Sequence, residues 1–413
     1  MSLPDKVREL MGKGVIITNP FSVEIGDEVP LERISGQGVV FYGGTKIYGA
    51  KTLISAGVKL GYEGPTTVVD CRLGPQVELN GGFFQSSVFL DKAGMASGAH
   101  VREGSLLEDE AKAGHAVGLK QTILFPFVTL GSLINFCDCL MAGGTGRSNH
   151  SEVGSSYIHF NYTPQQDKAT ASLIGDVPRG VMLDKPPIFL GGQGGLVGPV
   201  RIDYGTVITA GTVWRRDSQG AKLLHGGERR PLSQDYDAAS YKDIRRKVFN
   251  NIVYIANLLA LKQWYRHVRR PFFNNQELGD GLYEGAIEVL ERALDERIKR
   301  LREFADKAGN AGAGEIEGAT ADFLSRQREL KEKWPEIEAC FRDQPEERYG
   351  EKERDHFLGI LQKNMETRQG YVDSIRSLDT DARHAGTSWL QKIIDEIVWE
   401  ALNYLPSFRS YIT

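Results

Sequence analysis

Residues 190–217 read LGGQGGLVGPVRIDYGTVITAGTVWRRD, with an aliphatic side chain at every sixth position: Leu190, Leu196, Ile202 and Ile208. Six is neither a helix period nor the two-residue period of a single strand. Three six-residue sides do, however, close one turn of a triangular coil, in which each inward aliphatic stacks on its copy one turn away. The same spacing recurs upstream through Met95, Val101, Leu107, Ala113 and Leu119, and through Leu124, Leu130, Phe136 and Ala142. This predicts a parallel β-helix of hexapeptide repeats. Gly, Asn or Asp at the corners would supply positive φ, which gives a structural reason for 34 of the 47 glycines lying within residues 1–220. A competing use of glycine is to cradle phosphate. Gly143-Gly144-Thr145-Gly146 and Gly191-Gly192-Gln193-Gly194-Gly195 lack the GK[ST] of a P-loop, and no GxGxxG joins a strand to a long helix.

Beyond the coil the chain changes character. Residues 1–235 hold 45 charged side chains and residues 236–413 hold 59. In this second regime apolar residues recur at helical spacing: Ile244, Val248, Ile252, Ile255 and Leu259; Ile287, Leu290, Leu294, Ile298 and Leu301; Leu390, Ile394, Ile397 and Ala401. Ser240 three residues before Asp243 resembles a capping box, and Pro271 is expected to end the first of these helices. Gly309–Gly318 reads as a flexible link, and charge runs such as Glu346-Glu347-Arg348 read as solvated faces. The expected organisation is an N-terminal helix over 1–14, a parallel β-helix over 15–217, a linker over 218–235 and an α-helical domain over 236–413.

Composition narrows the partners. With 413 residues, 50 basic and 54 acidic side chains and a formal charge of −4, the chain has no global attraction to nucleic acid or to an anionic membrane. The stretch Met1-Ser2-Leu3-Pro4-Asp5-Lys6 carries no apolar core of signal-peptide length, so no signal peptide is expected, and no uninterrupted apolar run of spanning length is found. Four scattered cysteines, Cys71, Cys137, Cys139 and Cys340, form neither a disulfide framework nor a paired CxxC zinc site. A reducing, cytoplasmic setting is expected. No metal is expected either. His100, His115 and His150 are not separated by a coil repeat, and the Cys137-Asp138-Cys139 run reads as two small buried apolar groups rather than a metal clip.

The 190–217 segment resembles the last coils of a hexapeptide acyltransferase. It is most similar to the acetyltransferase domain of the bifunctional N-acetylglucosamine-1-phosphate uridyltransferase/glucosamine-1-phosphate acetyltransferase, the UDP-N-acetylglucosamine pyrophosphorylase family. Val101-Arg102-Glu103-Gly104 resembles that family's Leu-Arg-Pro-Gly, and Leu119-Lys120 follows at its spacing for a second sugar-phosphate contact. Ser148-Asn149-His150 resembles the segment with the catalytic histidine, and Phe160-Asn161-Tyr162 the Cys-Asn-Tyr acceptor motif. The resemblance covers roughly residues 85–217. It implies a left-handed coil and a homotrimer with sites between neighbouring subunits. It implies His150 as general base, with Arg102, Lys120, Asn161 and Tyr162 as substrate contacts. Acetyl-CoA or another acyl-CoA would be the donor, its pantetheine running past Ala210 and Gly211 and its phosphates meeting Arg215 and Arg216, with Arg229 and Arg230 nearby.

Several positions depart from the family. Residues 1–90 lack its uridyltransferase nucleotide loop, about one extra coil separates Lys120 from His150, and Gly118, Val153 and Gly192 replace an acidic residue, a tyrosine and a serine. Each candidate also has a plainer reading. His150 is a structural or solvent histidine, Arg102 and Lys120 are solvated cations, and Asn161 is a corner residue. His159 is either a reserve base or a stacked coil residue. Two functions follow: an acyltransferase acting on a sugar phosphate or nucleotide sugar, or a non-catalytic sugar-nucleotide binding or assembly protein.

Overall fold

The computed structural model describes residues 3–227, 233, 241, 243–310, 321–343, 350–365, 368 and 370–411. Arg229, Arg230, Ser240, Glu346-Glu347-Arg348 and residues 311–318 of the glycine-rich link lie outside these. Helix α1 (Asp5–Lys13) caps the first rung of a coil whose strands run from Ile16 to Leu224. The chain visits three flat faces in turn and pairs in parallel with the rung before it. Face one holds eleven strands, from Ile16–Ile17 to Leu223–Leu224. Face two begins at Glu24–Ile25 and ends at Val213–Trp214, and face three runs from Leu53–Ile54 to Arg201–Ile202.

Val101, Leu107, Leu119, Leu124 and Phe136, which the six-residue period picks out, are stacked pegs. On face two, Phe84, Val101, Leu119 and Phe136 superimpose at steps of 17 or 18 residues. On face three, Leu107, Leu124 and Met141 follow at steps of 17 and Ile174 stacks next after the longer excursion, which puts Met141 rather than Ala142 in the row. Each peg buries most of its apolar surface, at about 25 cal/mol per Å². Residues other than glycine also occupy the left-handed corners: Ser86, Gln121 and Phe127 all have φ between 45° and 71°.

Faces one and three differ in their outward residues. Face one alternates polar-out and apolar-in, as in Lys59-Leu60, Glu78-Leu79, Lys112-Ala113 and Glu152-Val153. Face three carries apolar residues on both sides: Val88-Phe89, Leu106-Leu107, Ile123-Leu124 and Leu140-Met141 are all buried. A strand buried on both sides needs a second layer, and the helical region provides it.

After the short α2 (Val177–Gly180), inserted between coil rungs, the helices are α3 (Arg245–Trp264), α4 (Arg270–Phe273), α5 (Gly279–Asn310), α6 (Ala321–Glu332), α7 (Trp334–Arg342), α8 (Glu351–Met365), α9 (Tyr371–Arg376) and α10 (Thr380–Asn403). The first helical run does not stop at Pro271. A π-turn over Tyr265–Arg269 widens the helix, and the proline sits in the first turn of α4, where a missing N–H costs no helical bond.

Helix α5 lies against face three. Arg72 Nη2 meets Glu288 Oε1 at 2.9 Å and Arg297 Nη2 meets Asp138 Oδ1 at 2.7 Å. Helix α3 continues the contact to the last rungs, where Asn250 Nδ2 donates to Asp217 Oδ1 at 2.9 Å. The described helices thus line face three from the Arg72 rung to the Asp217 rung. No described helix is long and apolar enough to cross a membrane.

Candidate functional site

His150 stands on an excursion from the coil. Between the strand Ile134–Met141, which turns from face two onto face three, and the face-one strand Glu152–Val153, residues Gly144–Gly146 and Asn149–His150 pair as a small antiparallel hairpin. Gly143 and Gly144 both have φ of 108°. A Cβ on Gly144 would come within 2.6 Å of the His150 Cα, so a glycine is needed there for the strands to close. These glycines therefore shape the loop that carries the histidine.

The imidazole is oriented on one side. Nδ1 lies 2.8 Å from the Arg147 carbonyl oxygen. A carbonyl only accepts, so the Nδ1–H donates and the lone pair of the neutral ring resides on Nε2. Nε2 is 4.0 Å from Glu152 Oε2, and the side chain retains 20% of its exposure. Sequence reasoning missed both partners: Glu152 two residues on, and Arg147, whose guanidinium ties the hairpin to the coil. Arg147 Nη1 donates to Glu110 O at 3.0 Å, Phe127 O at 2.7 Å and Thr129 Oγ1 at 3.0 Å. Arg147→Ala is expected to destabilise this hairpin by about 1–3 kcal/mol, read as faster amide exchange confined to residues 143–150; unchanged exchange there would show that the tether is idle.

The predicted phosphate contacts lie on face two. Val101 pairs with Leu119 across rungs, so Arg102 and Lys120, each one residue further on, are vertical neighbours. Lys120 Nζ is engaged by Glu103 Oε1 at 2.7 Å, while Arg102 is exposed. Cys137, next in this column, is buried, and burial pushes its thiol up to about 11. Among the described residues no hydrogen bond or ion pair joins His150 to Arg102 or Lys120. Within one chain, the histidine and the two cations thus belong to different faces.

Asn161 and Tyr162 follow the last face-two residue of their rung, Phe160. The Asn161 amide donates to Asp138 Oδ2 at 2.6 Å, and Asp138 in turn holds Arg297 of α5. Tyr162 is 63% exposed, beside the exposed Ile158 and Phe160. His159 is a peg of the coil, stacked between Phe136 and Leu196. It is 2% exposed, its Nε2 is 2.7 Å from Ser172 Oγ, and burial lowers its pKa to about 4.

At the far end of the coil, Ala210 and Gly211 turn the corner into Val213–Trp214. A Cβ on Gly211 would meet nothing within 4 Å. Gly211, Arg215, Arg216 and His225 border an open depression. Arg215 Nη1 donates to Val213 O at 3.0 Å. No group of three or more His, Cys, Asp or Glu among the described residues is placed to hold a metal ion.

No protein-family model matches the chain. Among curated proteins it is similar to the bifunctional protein GlmU of Thermotoga maritima, 26% identical over 231 residues, which are 56% of this chain and 46% of that protein. The bifunctional protein GlmU of Carboxydothermus hydrogenoformans is 25% identical over 231 residues, 56% of this chain and 46% of the relative. That of Pelobacter propionicus is 28% identical over 218 residues, 52% and 42%. The chain spans less than half the length of these relatives. Sequence likeness and parallel coil together identify a domain that resembles the hexapeptide-repeat part of such proteins, and they support a left-handed coil.

Proposed function

We propose that this chain is a hexapeptide-repeat acyltransferase that moves the acyl group of acetyl-CoA, or of another acyl-CoA, to a sugar phosphate or nucleotide sugar. His150 is the general base. The observation that carries this reading is the fixed tautomer: with Nδ1–H spent on a carbonyl, Nε2 presents a lone pair outward, and Glu152 is close enough to stabilise the imidazolium that forms. Nε2 takes the proton from the attacking amine or hydroxyl. The nucleophile bonds to the thioester carbon, the C–S bond breaks, and the coenzyme thiolate leaves and takes up a proton. Arg102, Lys120, Asn161 and Tyr162 would hold the acceptor. Ala210 and Gly211 would admit the pantetheine, and Arg215 and Arg216 would meet the coenzyme phosphates.

Because His150 and the two cations sit on different faces, this reading requires a second copy to supply one set, as in a homotrimer with sites between chains. His150→Gln is expected to lower kcat by about 10²–10⁴ with little change in KM, at a molecular mass in solution of three chains. A monomer with full activity would refute the intersubunit site, and an unchanged kcat would refute the base.

One set of contacts favours a second reading, a non-catalytic sugar-nucleotide binding or assembly protein: Lys120 and Asn161 already have partners within the chain. Thermal shift decides between them, since a bound ligand raises the melting temperature by mass action. Stabilisation by a UDP-sugar but not by acetyl-CoA would support binding without transfer.

A further inference from the structure

A second site lies where the helices part from the last rungs of face three. There α2, α3 and α10 and the residues after Trp214 enclose a cleft of about 220 Å³, open on one side. Its walls are chemically mixed. Leu173, Ile202, Val253 and Ile394 supply its apolar lining, and two arginines and three aspartates, with the amides of Asn257 and Gln391, supply its polar lining.

The charged groups are unequally satisfied. Arg179 is spent: Nε donates to Asp176 Oδ2 at 2.6 Å and Nη2 to Asp203 Oδ1 at 2.7 Å. Arg201 is not. Its guanidinium lies over the Phe249 ring at 4.9 Å and 3.7 Å from Asp217, beyond hydrogen-bond reach, and makes no side-chain hydrogen bond among the described residues. Its Nε is buried without a partner. Ser218, 8% exposed, also lines the cleft with a buried, unpartnered hydroxyl. Buried donors left unpaired beside a cavity call for an oxygen to fill them.

Charge excludes most candidates for that oxygen. Each cation there already faces a carboxylate, Arg179 with Asp176 and Asp203 and Arg201 with Asp217, which Arg246 also approaches at 3.9 Å, so a phosphate or carboxylate would have to compete with anions already in place. A cation would meet the like charge of Arg201. A hydroxyl, in contrast, can accept from Arg201 while donating to Asp217, and the apolar wall suits the C–H face of a ring.

We infer that this cleft binds a neutral polyhydroxyl compound of monosaccharide size, through Arg201 and Ser218. The site is separate from His150 and does not depend on the acyltransferase reading. The test is saturation-transfer NMR and calorimetry on the full chain with D-glucose and myo-inositol, and with glucose 1-phosphate as the charged comparison. A neutral polyol is expected to bind with millimolar or tighter affinity and the phosphate ester at least tenfold more weakly (about 1.4 kcal/mol). Arg201→Met should weaken the polyol at least tenfold, and Ile394→Trp, which fills the space from the apolar side, should abolish binding. His150→Gln should leave it unchanged. Absence of polyol binding to the folded wild type, equal or tighter binding of the phosphate ester, or undiminished binding in a folded Ile394→Trp protein would each overturn the assignment.

Discussion

Replacing Arg269 by methionine is expected to cost about 3–5 kcal/mol of folding free energy, the scale for removing one partner of a buried ion pair. Arg269 follows α3 in the π-turn and is buried between helix and coil. Its Nη1 is 2.8 Å from Asp109 Oδ2, and its guanidinium lies 3.7 Å from the centre of the Tyr371 ring. Two further carboxyls share this one cation. Glu108 accepts from the Tyr265 hydroxyl at 2.7 Å, and Asp91 stands beside Asp109 with Gln276 at 3.5 Å.

Burial raises Glu108 to about 7, and burial together with Asp109 raises Asp91 to about 7. These groups keep protons in the folded state that the unfolded chain has released by about pH 4–5. Stability is therefore lost as pH rises from about 4.5 to 7, and levels off above. His159 works the other way, because acid below its ordinary pKa protonates only the unfolded chain. The comparison that isolates the carboxyls is wild type against Glu108→Gln in urea unfolding at pH 5, 6, 7 and 8. The variant should lose the descending part of the curve, and the penalty of Arg269→Met should be larger at pH 8 than at pH 5. Parallel curves for all three proteins would mean that the cluster is not coupled to folding.

Leu106→Asp is expected to cost about 4 kcal/mol or more, from the loss of a fully buried leucine plus the desolvation of a carboxylate with no partner. Leu106 points away from the coil axis, since its neighbour Leu107 is the inward peg, yet it is 0% exposed. Only the helical layer can cover it. Since a domain is stable by only about 5–15 kcal/mol, the change should release the helices from the coil. Limited proteolysis is expected to cut the helical half early while the rungs persist. A resistant, fully docked protein would show that the two halves are not held through this row.

Much of the coil is legible because its determinants are local. A peg such as Val101 is specified by its alternation with exposed neighbours and by a copy 18 residues on at Leu119. The helical layer is also signalled, in the apolar doublets Val88-Phe89, Leu106-Leu107 and Leu140-Met141, where a one-sided strand would show a polar residue. The candidate site is less legible. The type and place of His150 can be read, but the hairpin that lifts it from the coil depends on Gly144 meeting His150 and on Arg147 reaching back to Phe127. Asn161, expected from its motif to contact a ligand, is the partner of Asp138, which in turn holds Arg297, 159 residues beyond Asp138.

The division follows from how far each interaction reaches along the chain. Period, alternation and helical spacing act over at most one rung, so the residues alone determine that rungs stack in the first half and amphipathic helices form in the second. Which face the helices cover, that one arginine serves three carboxyls, and that the Arg201 guanidinium makes no hydrogen bond among the described residues were decided only by the folded chain. Those outcomes depend on groups such as Arg72 and Glu288, 216 residues apart, whose attraction exists only once desolvation and geometry have brought them together.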